Sequence, residues 1–279
     1  MNISISDKDC FYEYLKELGF YGLDVPFDSF SKRDFILSND YYGFIMEKYK
    51  KITEACLVVA QTHLTYYLGE NGGYTEFEES MLPILVKEIG LTKELNCKVC
   101  VLHLYIGENL EESRKANVQL ISKLLPVAEE NNVTIAIENT YNGECYGDSY
   151  IDTYENFMFY MDYFKNPNLG ICLDSGHAII RKQDPVELFK KLEKYIVALH
   201  LHTTTENIDM HAIPLTLPYG EKIRWNEFYK LIEASSYKGT FNLELRPSSR
   251  LNDKAKKAYY MLAYETVQTI IYECGSNDL

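Results

Sequence analysis

The chain lacks the long apolar segments that a membrane protein needs. None of its apolar runs approaches the roughly 20 residues required to span a bilayer, although 46% of its 279 residues are hydrophobic. The first residues, Met1 to Asp9, contain no basic segment followed by an apolar one, so they do not resemble a secretory leader. We therefore expect a cytoplasmic protein with a sizeable buried core and no membrane partner.

Basic residues are also scarce. Lys and Arg together number 28 against 41 for Asp and Glu, which gives a net charge of −13. Because phosphate contacts dominate the affinity of proteins for nucleic acids, this balance disfavours a nucleic-acid partner. The short basic clusters at 48–51, 190–194 and 254–257 fall on predicted outer helices. We interpret these clusters as solvated helix faces.

The seven cysteines are an odd number, which does not suit a disulfide framework. Most of them lie in apolar stretches, and this favours reduced thiols inside a cell. Cys97 and Cys100 form a CxxC pattern, but residues three apart on a strand point to opposite faces of the sheet. We therefore predict that this pair belongs to the core and does not bind a metal.

Eight β-prone segments alternate with helical ones along the chain. Such alternation predicts a parallel sheet with helices packed outside it. Eight units in about 250 residues are typical of the (β/α)8 TIM barrel, a fold of the α/β class, and a doubly wound sheet is the alternative. No linker divides the pattern, so we expect a single domain over residues 1–279. The predicted strands are 2–6, 21–25, 56–63, 98–104, 134–138, 169–174, 196–202 and 239–245.

The connecting segments carry three further predictions. Helical periodicity predicts one continuous helix over 34–51, and the prolines and glycine at 206–222 predict a long loop. The loop at 141–152 contains Tyr141, Tyr146 and Tyr150, which would stack on a ligand or cover the rim of the barrel. We expect these two loops to set the specificity, and the sequence leaves open whether the chain forms a homo-oligomer.

Metal-competent side chains stand at the ends of the predicted strands. The carboxyl ends of parallel strands meet at one rim of a barrel, so these groups should converge there. Carboxylates crowded together repel one another unless a cation neutralises them. Such a set would suit Mn²⁺, Mg²⁺, Co²⁺ or Zn²⁺. The four residues at the ends of the fifth to eighth strands are Glu138, Asp174, His200 and Glu244.

Further candidates surround this set. None of the histidines is predicted to lie in a helix. His202 shares a strand face with His200, so it either reaches the site or lies at the rim. The additional candidate metal ligands or substrate contacts are His63, His103, His177, Asp209, His211 and Arg246.

Several short motifs resemble those of one known superfamily. The motifs are IENT at 137–140, LDSGH at 173–177, LHLH at 199–202, DMHAIPL at 209–215, GEKIRW at 220–225 and LELRP at 243–247. Together they resemble the xylose isomerase-like barrel superfamily, which includes sugar isomerases and epimerases and the endonuclease IV type of apurinic/apyrimidinic endonuclease. The resemblance covers nearly the whole chain and is strongest between residues 134 and 247.

The resemblance to the isomerases and epimerases implies one divalent metal held by the four strand-end residues. Glu138 and Glu244 would then transfer protons at a substrate carbon, through a metal-stabilised enediolate. His177 and Arg246 would hold substrate oxygens. This hypothesis predicts a small sugar, sugar phosphate or polyol as the substrate, and it is the function that we expect first.

The resemblance to endonuclease IV implies a larger centre with up to three Zn²⁺ ions. Such a centre would cleave abasic DNA or another phosphoester, with Tyr66 as a stacking residue. The acidic composition and the sequence after His211 favour the isomerase hypothesis over this alternative. A barrel that binds a ligand without chemistry is the third hypothesis. The nine matched ligand positions are His63, His103, Glu138, Asp174, His177, His200, Asp209, His211 and Glu244.

Overall fold

The computed structural model describes residues 1–27, 33–66, 74–140 and 153–276, and these residues contain ten strands. The loop tyrosines Tyr141, Tyr146 and Tyr150 lie outside the described residues, so the prediction about them stays a prediction. The strands are β1 (Ile3–Ser6), β2 (Gly22–Pro26), β3 (Val58–His63), β4 (Val99–Leu102), β5 (Thr134–Glu138), β6 (Leu169–Asp174), β7 (Ile196–His200), β8 (Thr203–Thr205), β9 (Ile208–Ala212) and β10 (Phe241–Leu243).

Eight of the strands form one parallel sheet in the order β10, β1, β2, β3, β4, β5, β6, β7. The two ends of this sheet meet through Leu201, which bridges Leu243 in parallel register. The Leu201 amide donates to the Asn242 carbonyl at 2.9 Å, and the Glu244 amide donates to the Leu201 carbonyl at 3.1 Å. The sheet therefore closes into a barrel, and the predicted (β/α)8 TIM barrel is confirmed.

Ten α-helices lie within the described ranges, most of them between successive strands of the barrel. None of these helices combines the length and the apolarity that crossing a bilayer requires. They are α1 (Tyr12–Leu18), α2 (Arg33–Leu37), α3 (Asn39–Glu54), α4 (Tyr74–Glu94), α5 (Leu110–Asn131), α6 (Tyr154–Phe164), α7 (Ser175–Ile180), α8 (Pro185–Leu192), α9 (Trp225–Ala234) and α10 (Asp253–Ser276).

Three of the local predictions are wrong. The helix predicted over 34–51 is interrupted at Ser38, whose extended backbone and side-chain oxygen cap the start of α3. The long loop predicted over 206–222 contains β9, which pairs with β8 as a two-stranded antiparallel ribbon. His177 lies in the short helix α7, because Asp174 at the end of β6 accepts a hydrogen bond from the His177 amide and so caps a helix there.

The core has two parts. Most buried apolar residues form one continuous cluster between the sheet and the helices. A second cluster consists of Val101, Ala136, Cys172 and Ala198, all fully buried. Each of these four residues lies two positions before a metal-competent strand-end residue, on the same strand face. Three of the four are small, and the strand ends above them carry the polar groups.

The cysteines behave as core or surface thiols. Six cysteines lie within the described residues, and none of these six is in a disulfide. Cys97 and Cys100 are buried, and burial raises the pKa of the Cys97 thiol to about 12. Neither belongs to a group of candidate metal ligands in the described part of the chain. The prediction that this pair belongs to the core is confirmed, and the prediction that it does not bind a metal stays a prediction.

Candidate metal centre

The predicted site residues converge at the carboxyl ends of the barrel strands. His63, Glu138, Asp174 and His200 are the last residues of β3, β5, β6 and β7. His103 and Glu244 directly follow β4 and β10, His177 lies in α7, and β9 carries Asp209 and His211. Among the described residues, possible ligands come together in five groups, and within each group the ligand atoms lie within 4.8 Å of one another. Three of the five groups consist only of the predicted site residues, and these three are described below.

The first group consists of His63, His103 and Glu138. The Nε2 atoms of the two histidines are 3.2 Å apart, and they lie 3.4 Å and 3.0 Å from Oε2 of Glu138. Ligand atoms bound at about 2.0–2.1 Å around a tetrahedral cation are roughly 3.3–3.4 Å apart by simple geometry. The three atoms therefore have the spacing of one face of a tetrahedral metal site.

The second group consists of Glu138, Asp174, His200 and Glu244. Nδ1 of His200 lies 3.1 Å from Oε1 of Glu138, 3.4 Å from Oε2 of Glu244 and 4.0 Å from Oδ2 of Asp174. His200 and Asp174 are fully buried, and Glu138 is 1% exposed. Buried carboxylates with a single imidazole among them form a donor set typical of a divalent cation site.

The third group consists of His177, Asp209 and His211. Nε2 of His211 lies 2.8 Å from Oδ2 of Asp209, and Nε2 of His177 lies 3.7 Å from the same oxygen. The β8–β9 ribbon, which the sequence did not predict, carries Asp209 and His211 and packs against α7. Without this ribbon the third group would have only one member.

Glu138 belongs to both the first and the second group. Its Oε2 atom faces His63 and His103, whereas its Oε1 atom faces His200 and also lies 3.3 Å from Nδ1 of His177. Both oxygens are therefore engaged on different sides of the carboxylate. A carboxylate in this position is suited to bridging two cations.

Backbone carbonyls orient three of the imidazoles. Nδ1 of His63 donates to the Leu64 carbonyl at 2.9 Å, and Nδ1 of His177 donates to the Asn139 carbonyl at 2.8 Å. Nδ1 of His211 donates to the Glu244 carbonyl at 3.1 Å. Because a carbonyl accepts only, the proton of a neutral ring lies on Nδ1, and Nε2 faces its group as a lone-pair donor. This arrangement is the usual outer shell of histidines that bind a metal.

The ring of His200 has the opposite orientation to the other three imidazoles. Its Nδ1 faces the second group, and its Nε2 lies 3.1 Å from Oδ2 of Asp24. Asp24 lies in β2, is 2% exposed and accepts from the side-chain amides of Gln61 and Asn242, each at 3.3 Å. Asp24 was missed by the sequence analysis. The available signal was an acidic residue inside the otherwise apolar strand Gly22–Pro26.

His202 reaches the site and does not lie at the rim. It is fully buried, its Nε2 lies 3.2 Å from Oδ2 of Asp174, and its ring stacks on His211 at a centroid distance of 4.2 Å. The ring fits there because residue 176 is glycine. A Cβ at Gly176 would come within 1.9 Å of Cε1 of His202. His202 therefore contacts Asp174 of the second group and His211 of the third group.

Two buried carboxylate oxygens are evidence that the site binds cations. Oδ1 of Asp209 and Oε2 of Glu244 are buried, and neither accepts a hydrogen bond within the described parts of the chain. A buried acceptor without a partner is destabilising and is rare in native proteins. Divalent cations among these groups would satisfy both oxygens, so the residues fit a metal centre.

The pKa values of the site residues reflect a competition between burial and the charges of neighbouring groups. Burial would raise the pKa of Glu138, but the imidazoles of His200 and His103 lower it well below its ordinary range. Burial would lower the pKa of His177, but Asp174, Asp209 and Glu138 raise it well above its usual value. The surrounding charges thus favour the ionised form of Glu138 and the protonated form of His177. Divalent cations would replace these protons, as metal binding generally does.

A cavity of about 180 Å³ opens onto these groups at the barrel mouth. Tyr66 forms part of its wall, and its ring lies 5.0 Å from that of His103. Arg246, a predicted substrate contact, also lines the cavity, with one guanidinium nitrogen 3.3 Å from Nε2 of His211. Eight of the ten predicted site residues therefore line this cavity, and the other two, Asp174 and His200, lie fully buried within the second group.

Comparison with known proteins identifies relatives across nearly the whole chain. A family model described as xylose isomerase-like TIM barrel matches residues 12–263. Among curated proteins, a probable endonuclease 4 from Mycoplasmopsis pulmonis is 26% identical over 187 residues. This match covers 62% of the chain and 65% of that relative, so the chain spans less than two thirds of the relative's length.

Solved structures of the same fold include proteins described as sugar epimerases and others described as xylose isomerase domain proteins. A D-tagatose 3-epimerase-like protein has a TM-score of 0.75 and 17% identity, with full coverage of both chains. The 3-keto-D-glucoside 4-epimerase from E. coli has a TM-score of 0.70 and 16% identity, covering 98% of this chain and 99% of the epimerase. At such identities the likeness establishes the shared fold.

Proposed function

Because the chain belongs to the xylose isomerase-like TIM-barrel family, we propose that it is a phosphoester hydrolase with a multinuclear divalent-metal centre. The observation that carries this proposal is the position of Glu138, whose two oxygens face different groups of potential ligands. A single-metal isomerase needs only the second of the three groups. The first and third groups are better explained if each also holds a cation.

The same position argues against a role for Glu138 in proton transfer. A carboxylate that removes a proton from carbon needs an oxygen that can approach the substrate. Glu138 is 1% exposed, and imidazole nitrogens lie within 3.4 Å of both its oxygens. Bridging two cations would use both oxygens in this arrangement. For this reason we favour hydrolysis over the isomerase hypothesis.

Cations in the three groups would neutralise the negative charge that develops on a phosphoester and would make water a better nucleophile. The chain's own residues prepare this centre. His63, His177 and His211 present Nε2 because their Nδ1 protons are held by carbonyls. Asp24 favours the proton on Nε2 of His200, which leaves Nδ1 for a cation.

A small phosphoester suits the surface better than DNA does. Lys48 pairs with Asp7 at 2.9 Å, and Lys190 lies 2.8 Å from Glu187 and 3.1 Å from Glu227. Members of the basic clusters are thus neutralised by carboxylates on the protein itself. With a net charge of −13, the chain has little to attract a long polyanion. The weak similarity to a probable endonuclease 4 supports phosphoester chemistry, and we propose a small-molecule substrate for it.

The single-metal sugar isomerase or epimerase remains the second candidate. The observation that favours it is the second group, in which Glu138 and Glu244 approach one point from strands β5 and β10. In that case one Mn²⁺, Mg²⁺, Co²⁺ or Zn²⁺ would bind there, and His177 and Arg246 would contact the substrate. We further propose a cytoplasmic location, because Cys97, Cys100 and Cys172 are buried thiols that form no disulfide.

One pair of assays separates the candidates. Hydrolysis of bis(p-nitrophenyl) phosphate and p-nitrophenyl phosphate by the metal-loaded protein tests the first candidate. Uptake of deuterium from D₂O beside the carbonyl of ketohexoses and their phosphates, followed by NMR, tests the second. A duplex with an abasic analogue tests whether DNA is cleaved. We expect hydrolysis of a chromogenic ester without deuterium uptake, and the opposite result would refute the proposal.

A further inference from the structure

Two basic side chains line the cavity beside the candidate metal centre, and they are Lys8 and Arg246. Among the described residues, no other lysine or arginine lines it. Within the same residues, neither side chain has a carboxylate partner, although acidic groups outnumber basic ones in the chain. Several other basic residues on the surface, such as Lys190 and Arg224, do form ion pairs. Among the described residues, the two cationic groups that line the cavity therefore form no ion pair with a carboxylate.

The position of Lys8 is set by its two neighbours. Asp7 is buried, lies 2.9 Å from Nζ of Lys48 and accepts from the hydroxyl of Tyr12 at 3.1 Å. Asp9 lies 2.5 Å from Nζ of Lys256 and accepts from a further tyrosine hydroxyl. The segment after β1 is thus held on both sides of Lys8 by contacts with α1, α3 and α10. Lys8 itself makes none of these contacts and lines the cavity.

Arg246 is held close to the third ligand group. Its backbone amide donates to the His211 carbonyl at 3.2 Å, and one guanidinium nitrogen lies 3.3 Å from Nε2 of His211. A guanidinium carries five N–H donors, so most of the Arg246 donors remain for another ligand. The planar fork of these donors matches two oxygens of a phosphate.

The segments that carry the two residues are joined directly. Strands β1 and β10 are neighbours in the barrel, with Ile5 opposite Leu243. Beyond the strands, the Ser6 hydroxyl accepts from the Leu245 amide at 3.1 Å and donates to the Leu245 carbonyl at 3.2 Å. Lys8 comes two residues after Ser6, and Arg246 comes directly after Leu245. Both basic groups therefore lie in the same sector of the mouth.

We propose that Lys8 and Arg246 form a phosphate-recognition pair that selects anionic substrates at the β1/β10 side of the mouth. This inference rests on the proposed function, because the pair lies beside the groups assigned to the metal centre. Lys8 supplies a point charge and Arg246 supplies directed hydrogen bonds, and the two combine well on a dianionic phosphate group. Neutral sugars and polyols gain nothing from this pair.

Inorganic phosphate is the probe that tests the pair directly. Its binding to the metal-loaded protein is measured by isothermal titration calorimetry for the wild type, Lys8→Met, Lys8→Arg and Arg246→Gln. The matched control is Lys98→Met, which changes an exposed lysine just before β4, at the opposite end of the barrel. Metal content is determined for every variant, so that loss of cations is not mistaken for loss of the pair.

We expect Lys8→Met to weaken phosphate binding about tenfold, because a hydrogen bond to a charged group typically changes a binding constant by about this much or more. Lys8→Arg keeps the positive charge and should therefore retain most of the affinity. Arg246→Gln should have a similar effect, and Lys98→Met should have none. Equal affinity in the wild type and in Lys8→Met with unchanged metal content would overturn the inference, as would a wild type that does not bind phosphate.

The two proposals fail in different ways. If phosphate binds through Lys8 but no phosphoester is hydrolysed, the recognition pair stands and the proposed function falls. If an ester is hydrolysed with the same KM and the same phosphate affinity in the wild type and in Lys8→Met, the function stands and the pair falls. When both hold, Lys8→Met raises KM for p-nitrophenyl phosphate more than it lowers kcat.

Discussion

Glu88 is a buried carboxyl group that links helix α4 to the segment carrying the candidate ligand His63. It is fully buried, and its two oxygens accept from the Thr65 amide at 2.8 Å and the Thr65 hydroxyl at 2.6 Å. Burial raises the pKa of Glu88 from 4.5 to about 7, although the bonds from Thr65 oppose the rise. Its protonation should therefore affect folding near neutral pH.

The sign and the size of this effect follow from proton linkage. The pKa is higher in the folded state, so the protonated carboxyl favours folding below about pH 4.5, and this contribution is lost as the pH rises through about 7. One pKa unit corresponds to about 1.4 kcal/mol, so the loss amounts to roughly 3 kcal/mol. That is a large share of the roughly 5–15 kcal/mol that stabilises a typical domain.

Glu88→Gln isolates this contribution, because glutamine keeps one acceptor and one donor for Thr65 but does not titrate. The free energy of unfolding is measured with urea between pH 4.5 and 8, on protein kept metal-free by a chelator. We expect the wild type to lose roughly 3 kcal/mol relative to Glu88→Gln over this range. The control is Glu94→Gln, an exposed position on the same helix, which should run parallel to the wild type. Parallel curves for Glu88→Gln as well would refute the argument.

Two further predictions concern the centre itself. Glu138→Gln should lower kcat for ester hydrolysis by about three orders of magnitude or more, because the carboxylate shared by two ligand groups is lost. Circular dichroism should show that the fold is intact. If Glu138→Gln were as active as the control Glu111→Gln, which changes an exposed residue, the bridging role would be contradicted. Asp24→Asn should weaken metal affinity about 10–100-fold, because the group that orients His200 loses its charge. Competition with a chromogenic chelator measures the metal affinity of the variant. An affinity equal to that of the wild type would show that Asp24 does not orient His200 for metal binding.

Much of the fold could be predicted because its signals are local. The alternation of β-prone and helical segments marks the eight barrel strands, and β5 and β6 match their predicted bounds. The break at Ser38 was missed because one serine in an otherwise helical stretch is a weak signal until its backbone is extended. The β8–β9 ribbon was missed because its strands are short, and their pairing depends on contacts with α7.

The candidate site was predictable to the extent that strand ends mark it. Residues such as Glu138 and Asp174 are conspicuous because a charged group ends an apolar run. Asp24 is an acidic residue within an apolar strand and does not end one, so its signal is weaker. Its role depends on His200, which belongs to a distant part of the chain. The place of His202 likewise depends on a glycine at 176 in the neighbouring helix. The predicted roles of the site residues and the single-domain organisation over residues 1–279 stay predictions.

The number of divalent cations per chain tests the central claim most directly. It is measured by inductively coupled plasma mass spectrometry and native mass spectrometry on purified protein, for the wild type, His63→Ala and His211→Ala. We expect more than one cation in the wild type, up to three, and the loss of a cation from each variant. One cation in all three proteins would contradict it and would return the single-metal isomerase to first place.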